Sequence, residues 1–349
     1  MKITDIRAVY PEWRKKGTGA WQEYYWQIVV RVETDAGLVG YGCGGGGEPG
    51  KLIVNGHLRD ALVGRRIGHV DDIRDIWDHL YFKSLPYGRN GIVIMALSGI
   101  DLALWDLLGK AEDKPVYELI GGLRKETVRA YATGGDPARV RDLGYTAVKC
   151  SHQWREDADY DTAAALAARC RGMFGRDALL MFDCYMSWDA EVALRMRELL
   201  GEYEPYWFED LMTPDHLDEL AELRPRLAPV LLAGGEHDFS HHAFGAIARA
   251  GALDLWQPDI TWCGGITAGL RILELARAHD VPVCPHRGGE IWGLHLVVAT
   301  DCMDLAETHP DRWNDPEDMI LPDEPVVSGG VIVPPDRPGF GVALKPEYV

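Results

Sequence analysis

Residues 178–183, ALLMFD, begin a series of six short apolar runs, each of which ends in Asp, Glu or His. The other runs are YWFE at 206–209, VLLAGGE at 230–236, LDLWQPD at 253–259, VPVCPH at 281–286 and MDLAE at 303–307. Their last residues lie 26, 27, 23, 27 and 21 positions apart, which is room for one strand, one helix and two loops. Closed into a (β/α)8 barrel, this repeat would bring all six ends to one mouth, where the catalytic groups of barrels collect.

A different pattern precedes the barrel. From residue 1 to about residue 42 polar and apolar residues alternate, with AspAlaGly at 35–37 as a turn, which predicts an antiparallel meander. Apolar spacings of three and four then predict helices over 58–63, 71–80 and 94–110. We interpret the four glycines at 44–47 as a flexible turn that could close over the barrel mouth, because they lack the Lys and Ser/Thr of a P-loop.

These patterns predict three parts of the chain. Residues 1–120 form an α+β capping domain, and residues 121–320 form the barrel, with only a brief helix between its first two strands. Residues 321–349, which are rich in Pro and Gly, pack back on the first domain.

Composition argues against several classes of partner. The net charge of −18 disfavours nucleic acid and anionic membranes, because both are bound by clustered Lys and Arg. We find no apolar stretch of 18 residues, and the first residues alternate instead of forming a signal-peptide core. Seven cysteines without a CxxC pair favour a reducing compartment over a disulfide framework, so we expect a cytoplasmic protein.

Asp183, Glu209 and Glu236 end three successive runs, so in a barrel their carboxylates would face a common point. A single acid at a strand end is usually a solvated cap, but a regular series of three crowds like charges and implies a counter-ion. Hard oxygen ligands suit Mg²⁺, which keeps open positions for water or substrate. We therefore predict a magnesium site.

Asp259 and His286 end the next two runs, where a carboxylate could lie against one imidazole nitrogen. The Asp would fix the His tautomer and raise its basicity, which leaves the second nitrogen free to accept a proton. A lone His is more often structural, but the glycine-rich loop after His286 favours exposure to a ligand.

Several longer motifs resemble the enolase superfamily, mandelate racemase group. They are SGIDLALWDLLGK at 98–110, LIGGLR at 119–124, GlyGluHis at 235–237 and QPDITWCGGIT at 257–267. Within that group the chain is most similar to sugar-acid dehydratases of the L-rhamnonate dehydratase type, in YGRNGIVI at 87–94 and FDCYMS at 182–187. The resemblance implies a modified TIM barrel of the (β/α)7β type with an N-terminal capping domain, and a homo-oligomer.

The resemblance also implies roles for individual residues. Asp183, Glu209 and Glu236 match Mg²⁺ ligands, and Asp259 and His286 match a catalytic dyad. Lys149 and Glu307 match groups that stabilise the charged intermediate. As substrate-binding residues we add His237, Arg287 and Glu290, although a structural role for His237 and a salt-bridged rim for the other two are equally open.

Two local sequences depart from the resembling group. Racemases of the group carry LysXxxLys on the second barrel strand, whereas this chain has Lys149, Cys150 and Ser151, so one of two bases is missing. After His286 the rhamnonate enzymes read GlySerSer, but here Arg287, Gly288, Gly289 and Glu290 follow. The loop over residues 11–26, in a region that caps the substrate, is also shorter.

The resemblance implies dehydration of an aldonate, in which His286 removes the C2 proton, the 3-hydroxyl leaves and a 2-keto-3-deoxy sugar acid results. L-Rhamnonate, L-lyxonate and L-mannonate all remain open as small-molecule substrates. The alternatives are a racemase, epimerase or cycloisomerase, and a non-catalytic protein that binds sugar acids. The missing second lysine disfavours the racemase, and the combination of metal acids and dyad disfavours the binding protein. We interpret Trp262 and Trp292 as packing residues, and we assign no role to His152 and His295.

Overall fold

The computed structural model describes residues 1–11, 27–310 and 321–345. It confirms the predicted meander as an antiparallel sheet in the order β1, β2, β3. The strands are Ile3–Val9, Ile28–Thr34 and Val39–Gly44. Gly37 supplies the positive φ, 74°, that the turn between β2 and β3 needs. The loop expected to cap the substrate lies almost wholly outside the described residues.

Five α-helices follow the meander. They are α1 (Gly47–Ile53), α2 (Arg59–Leu62), α3 (Val70–Ser84), α4 (Ile92–Glu112) and α5 (Val116–Ile120), and a π-helical turn at Val54–Leu58 joins α1 to α2. The helices predicted over 71–80 and 94–110 are confirmed as the central parts of α3 and α4. The helix predicted over 58–63 is confirmed as α2, whereas α1 was missed, because the Gly-rich sequence and Pro49 concealed it from apolar spacing.

The glycines at 44–47 are not the flexible turn that the sequence predicted. They are buried and join β3 to α1 across the surface of α4. A Cβ atom on Gly44 would lie 2.4 Å from the Met95 carbonyl oxygen, and one on Gly45 would lie 2.9 Å from the Met95 sulfur. Glycine is therefore needed here for the close approach of two backbones and not for motion.

Helix α4 is the core of the capping domain. It is long and apolar enough to span a membrane by length and composition, which the search for an apolar stretch in the sequence overlooked, but 94% of that window is buried inside the protein. The β2–β3 hairpin packs on one side of α4, and α3 and a barrel helix pack on others.

The barrel is built from parallel strands in the order β10, β4, β5, β6, β7, β8, β9. The strands are β4 (Val128–Thr133), β5 (Ala147–Ser151), β6 (Leu179–Asp183), β7 (Trp207–Glu209), β8 (Leu231–Gly234), β9 (Leu255–Trp256) and β10 (Ala306–Thr308). The intervening helices are α6 (Pro137–Asp142), α7 (Ala158–Phe174), α8 (Ala190–Leu200), α9 (Leu217–Leu227), α10 (Ser240–Ala250), α11 (Gly265–Ala278) and α12 (Ile291–Ala299). The six-residue α6 is the brief helix that the sequence predicted.

The strand position between β9 and β10 is reduced to a single bridge. Val283 pairs in parallel with Trp256, and the Met303 amide donates to the Val283 carbonyl at 2.9 Å. Because β10 pairs with β4, the ring closes. Seven strand–helix units followed by a last strand make the (β/α)7β barrel that the resemblance implied.

The C-terminal segment contacts both parts of the protein. A short strand, β11 (Val331–Ile332), pairs antiparallel with β4. Further along, Gly339 exchanges backbone hydrogen bonds with Lys114 and Val116, and the Phe340 amide donates to Asp106 Oδ1 at 3.0 Å. The segment thus ties the barrel to α4 and α5.

Candidate active site

One layer of the barrel interior explains how the site is positioned. Eight residues, one from each strand position, form a separate buried cluster: Tyr131, Ala147, Met181, Trp207, Ala233, Leu255, Cys284 and Leu305. Side chains alternate along a strand, so the residue two positions later faces the same interior, one layer nearer the mouth. That next layer is Thr133, Lys149, Asp183, Glu209, Gly235, Gln257, His286 and Glu307. Five of these eight are residues that the sequence predicted.

Lys149 lies at the centre of the carboxylates. Its Nζ contacts Glu209 Oε1 directly, and it lies 2.8 Å from Glu307 Oε1 and 3.8 Å from Asp183 Oδ2. The side chain is 1% exposed. Burial alone would lower the pKa of Lys149, but Glu209 and Glu307 outweigh it and hold that pKa well above its usual value. Lys149 is therefore a fixed cation.

Glu209 is held from both sides. Its Oε2 accepts hydrogen bonds from Trp207 Nε1 at 3.0 Å and from Gln257 Nε2 at 2.7 Å. Burial raises the pKa of Glu209 to about 8 against the opposing effect of Lys149. Burial, and to a smaller extent Glu236, raise the pKa of Asp183 to about 6. Gln257 escaped the sequence analysis because it bears no charge, although its place two residues after Leu255 would have identified it.

Glu236 lies two residues beyond the end of β8, next to His237 and to Asp210. Of these three residues, the sequence analysis missed Asp210. Asp210, Glu236 and His237 each offer one ligand atom, and these atoms lie within 4.8 Å of one another. His237 Nε2 is 3.5 Å from both carboxylates. Asp210 directly follows Glu209 in the sequence, which was the available signal. Burial, and after it Glu236, raise the pKa of Asp210 well above its usual value.

Asp259 and His286 form the expected pair, with His286 Nδ1 2.8 Å from Asp259 Oδ2. The other ring nitrogen, Nε2, points into the mouth, 3.4 Å from Glu236 Oε2 and 3.8 Å from Glu307 Oε2. Burial would lower the pKa of His286, but Glu236, Glu307 and Asp259 together raise it to about 9. The geometry leaves Nε2 as the atom that can exchange a proton with a ligand.

Arg287 occupies a different position from the one expected of a residue that reads hydroxyl groups. Its Nε and Nη2 lie 2.9 and 2.8 Å from Asp259 Oδ2, and Nη2 also contacts Thr261 Oγ1. The side chain is 6% exposed, and its guanidinium lies over the Trp262 ring at 5.2 Å. Glu290 Oε2 is 3.7 Å from Arg287 Nη1. Arg287 thus shares Asp259 with His286.

Trp262 is part of the site, whereas we interpreted it from the sequence as a packing residue. Its ring centroid lies 5.6 Å from that of His286 and 6.1 Å from that of His237. Trp292 does pack, with its ring edge against Phe340 at 4.7 Å. His295 is buried between α5 and Phe340, away from the mouth.

Strand β5 shows what the missing second lysine leaves behind. Ser151, two residues after Lys149, is exposed and in register with Asp183. Cys150 between them faces away from the barrel interior, where its Sγ contacts Cys170 on α7. A serine hydroxyl at the position of the second lysine is a poor base, because its neutral oxygen hardly binds a proton at neutral pH and its alkoxide is not populated there.

The predicted metal ligands fit a divalent cation by their chemistry. Asp183, Glu209 and Glu236 supply carboxylate oxygens, which Mg²⁺ prefers. Their mutual repulsion contributes to the raised pKa values of Asp183 and Glu209, and bound positive charge would relieve it. The metal would share this mouth with Lys149, which neutralises only part of the acid charge.

The fold and the site define a barrel enzyme that pairs a carboxylate cluster with an acid–base dyad. The family model of the mandelate racemase / muconate lactonizing enzyme N-terminal domain matches residues 9–121, and that of the enolase C-terminal domain-like family matches residues 136–348. The chain therefore belongs to the mandelate racemase / muconate lactonizing enzyme family of the enolase superfamily.

Among its relatives, the L-rhamnonate dehydratase of Saccharopolyspora erythraea is 38% identical over 350 aligned positions, which cover 97% of this chain and 88% of the relative. The crystal structure of L-rhamnonate dehydratase from Gibberella zeae superposes with a TM-score of 0.87 at 28% identity, and covers 99% of this chain and 94% of that one. A second structure of the Gibberella zeae enzyme, complexed with Mg, gives the same score and identity, with 99% and 95% covered.

Proposed function

We propose that this chain is a Mg²⁺-dependent sugar-acid dehydratase that converts an aldonate of the L-rhamnonate kind to a 2-keto-3-deoxy sugar acid. The observation that carries the proposal is the hydrogen-bonded His286–Asp259 pair, in which the second ring nitrogen of His286, Nε2, faces the same mouth as the carboxylate cluster. The 38% identity to a dehydratase over nearly the whole chain, and the structural likeness to a Mg-complexed dehydratase, support it.

Asp183, Glu209 and Glu236 would hold the Mg²⁺. When bound, the ion supplies positive charge that stabilises the negative charge developing on the substrate carboxylate. Lys149 would donate a hydrogen bond to the same carboxylate, since its ammonium is fixed and already charged. Glu307 orients Lys149 through the 2.8 Å contact with its Oε1.

His286 would act first as a base and then as an acid. Its Nε2 removes the proton from C2, while Asp259 holds the ring through Nδ1 and Arg287 in turn donates a hydrogen bond to Asp259. Each unit by which the pKa of the C2 proton exceeds that of the imidazolium adds about 1.4 kcal/mol to this step, so charge stabilisation must close most of the gap. The imidazolium then returns the proton to the departing 3-hydroxyl, which leaves as water, and the enol becomes the 2-keto acid.

The racemase alternative needs a second base on the opposite face of the substrate. The position that would carry it is Ser151, so elimination with a single histidine is the reaction that this chain favours. His237, beside Glu236, and Glu290, beside Arg287, are the residues that we propose to contact the rest of the sugar acid. Trp262 would pack against the substrate between His237 and His286.

The experiment incubates the purified protein and Mg²⁺ with a panel of aldonic and aldaric acids that includes L-rhamnonate, L-lyxonate and L-mannonate, and detects 2-keto acids as semicarbazones. The variant His286→Asn should lose turnover while it still binds Mg²⁺ by calorimetry. A matched control, His279→Asn, changes an exposed histidine at the end of α11 and should behave as wild type. Turnover by His286→Asn, or an epimer in place of a keto acid, would overturn the assignment.

We further propose a cytoplasmic homo-oligomer. Seven cysteines without a CxxC pair suit a reducing compartment. Phe82 and Leu52, with exposed fractions of 70% and 67%, supply apolar surface for a contact between copies. Light scattering behind size-exclusion chromatography measures the oligomeric state, and a monomer at micromolar concentration would contradict this proposal.

A further inference from the structure

Cys150 and Cys170 form a pair of thiols on the outer side of the barrel. Cys150 follows Lys149 on β5, and Cys170 lies near the end of α7, twenty residues later in the chain. Their Sγ atoms are 3.2 Å apart. A disulfide bond is about 2.05 Å long, so the sulfur atoms need to approach by only about 1.1 Å to form one.

A cavity leads to this thiol pair. It has a volume of about 190 Å³, and both cysteines line it together with Gly134, Met173 and Phe174. One water molecule takes up about 30 Å³ of liquid, so the cavity has room for a small organic reagent. Both cysteines are partly exposed, which is the access that thiol chemistry requires.

The surroundings favour a thiolate on Cys170. Either thiol can donate to the other; with Cys150 as the donor, this hydrogen bond lowers the pKa of Cys170, and Arg169 and Arg171 lower it further, against the effect of burial. The same hydrogen bond, together with burial, raises the pKa of Cys150. One thiolate stabilised by a neighbouring thiol and two arginines is the arrangement of an attacking cysteine beside its resolving partner.

The other five cysteines contrast with this pair. Cys43, Cys184, Cys263, Cys284 and Cys302 are all buried. Burial raises the pKa values of Cys184, Cys263 and Cys284 well above their usual value. Reaction with a soluble reagent should therefore be confined to one site.

We propose that Cys150 and Cys170 are a reversible modification site, which low-molecular-weight disulfides oxidise to an intramolecular disulfide. Cys170 thiolate attacks one sulfur of the reagent RSSR, forms a mixed disulfide and expels RS⁻. Cys150 then loses its proton and attacks Cys170 Sγ, which expels the second RS⁻. Two protein thiols are oxidised, one reagent disulfide is reduced, and the two protons end on the two RSH. The new bond ties β5, the strand of Lys149, to α7.

The test treats the full-length protein with cystamine, blocks the remaining thiols with iodoacetamide in denaturant, and reads intact mass and a non-reduced peptide map. Wild type should lose two of its seven thiols without retaining an adduct, and should give one cross-linked peptide joining positions 150 and 170 that dithiothreitol reverses. This readout does not depend on turnover, so it stands apart from the proposed dehydratase activity.

Two variants separate the steps. Cys150→Ser should hold one stable adduct on Cys170, because the resolving thiol is missing. Cys170→Ser should form no cross-link, and its Cys150 should react at least about tenfold more slowly than Cys170 does in the other variant. A matched Cys302→Ser control should form the cross-link as wild type does. An adduct that persists on wild type, a cross-link elsewhere, or seven thiols left after treatment would overturn the proposal.

Discussion

Replacing Arg287 by methionine tests whether this residue holds Asp259 or reads the substrate. The guanidinium contacts Asp259 Oδ2 twice, at 2.8 and 2.9 Å, and also contacts Thr261. The methionine keeps the backbone bond from residue 287 to Glu307 Oε2, so only the guanidinium contacts are lost. Removing one partner of a buried ion pair costs about 3–5 kcal/mol, because the other charge is left uncompensated.

We expect Arg287→Met to lower the free energy of unfolding, measured by urea titration at neutral pH, by about 4 kcal/mol. Arg287→Lys keeps the charge but not the two-pronged donor, so it should lose roughly 2 kcal/mol. The control is Arg277→Met, which removes a two-pronged pair with Asp301 at 2.9 and 3.0 Å on the surface and should cost about 0–1 kcal/mol. A loss by Arg287→Met no larger than that of the control would refute the buried-pair reasoning.

The same variants separate two roles in catalysis. If Arg287 acts through Asp259, the loss of its guanidinium should lower kcat and leave KM nearly unchanged, since no bond to the sugar acid is removed. If Arg287 binds the substrate, which is one of the two roles that the sequence left open, KM should rise instead. The contacts with Asp259 favour the first outcome, and a rise in KM alone would contradict it.

Three further perturbations have expected outcomes. His295 is buried with its pKa lowered to about 3, first by burial, so stability should fall by about 2 kcal/mol as pH drops from about 7 to 5, and His295→Gln should remove that loss. Burial raises the pKa of Asp101 to about 7, so stability should instead fall by about 3 kcal/mol as pH rises from about 5 to 8. Asp101→Asn keeps an oxygen that can accept the hydrogen bond from the Thr267 amide and should abolish this dependence on pH. Urea titrations at the two ends of each pH range measure these changes in the free energy of unfolding. An equal change with pH in a variant and in wild type would contradict the prediction for that residue. Lys149→Met should make thermal stabilisation by Mg²⁺ larger than in wild type, because both cations neutralise the same carboxylates; an unchanged shift would contradict the shared site.

Much of the barrel could be predicted from the sequence because buried parallel strands read as continuous apolar runs. The six runs all lie at strand positions or directly before the mouth, and the period of about 25 residues gave the repeat. The register of the mouth was less visible, since only Asp183 and Glu209 are the last residues of their strands, whereas Asp259 lies three residues past β9. Loop length after a strand follows from tertiary contacts that spacing does not encode.

The residues that the sequence analysis missed fall into two kinds. Gln257 and Thr133 are uncharged, so a search for acids and histidines passes over them, although the alternation of side chains assigns both to the mouth layer. Asp210 and the direction of Arg287 depend on backbone conformation, with φ values of 48° and 52°. Such left-handed residues in irregular segments turn a side chain away from the face that strand periodicity would predict.

The charges at the mouth connect the fold to the proposed chemistry. Two fixed cations, Lys149 and Arg287, contact an acid cluster at the mouth. The acids of this cluster are Asp183, Glu209, Glu236, Asp259 and Glu307. Because each cation carries a single charge, the two neutralise fewer charges than the cluster holds. Burial is the largest cause of the raised pKa values of Asp183 and Glu209, and the neighbouring acids add to it, whereas Glu236, Glu307 and Asp259 raise the pKa of His286. A divalent cation held by Asp183, Glu209 and Glu236 would offset the charge of Glu236, the largest of the groups that raise the pKa of His286, and so favour loss of its proton before it acts as a base. A metal ion held there would therefore stabilise negative charge on the substrate and also lower the pKa of His286, the residue proposed to remove the C2 proton.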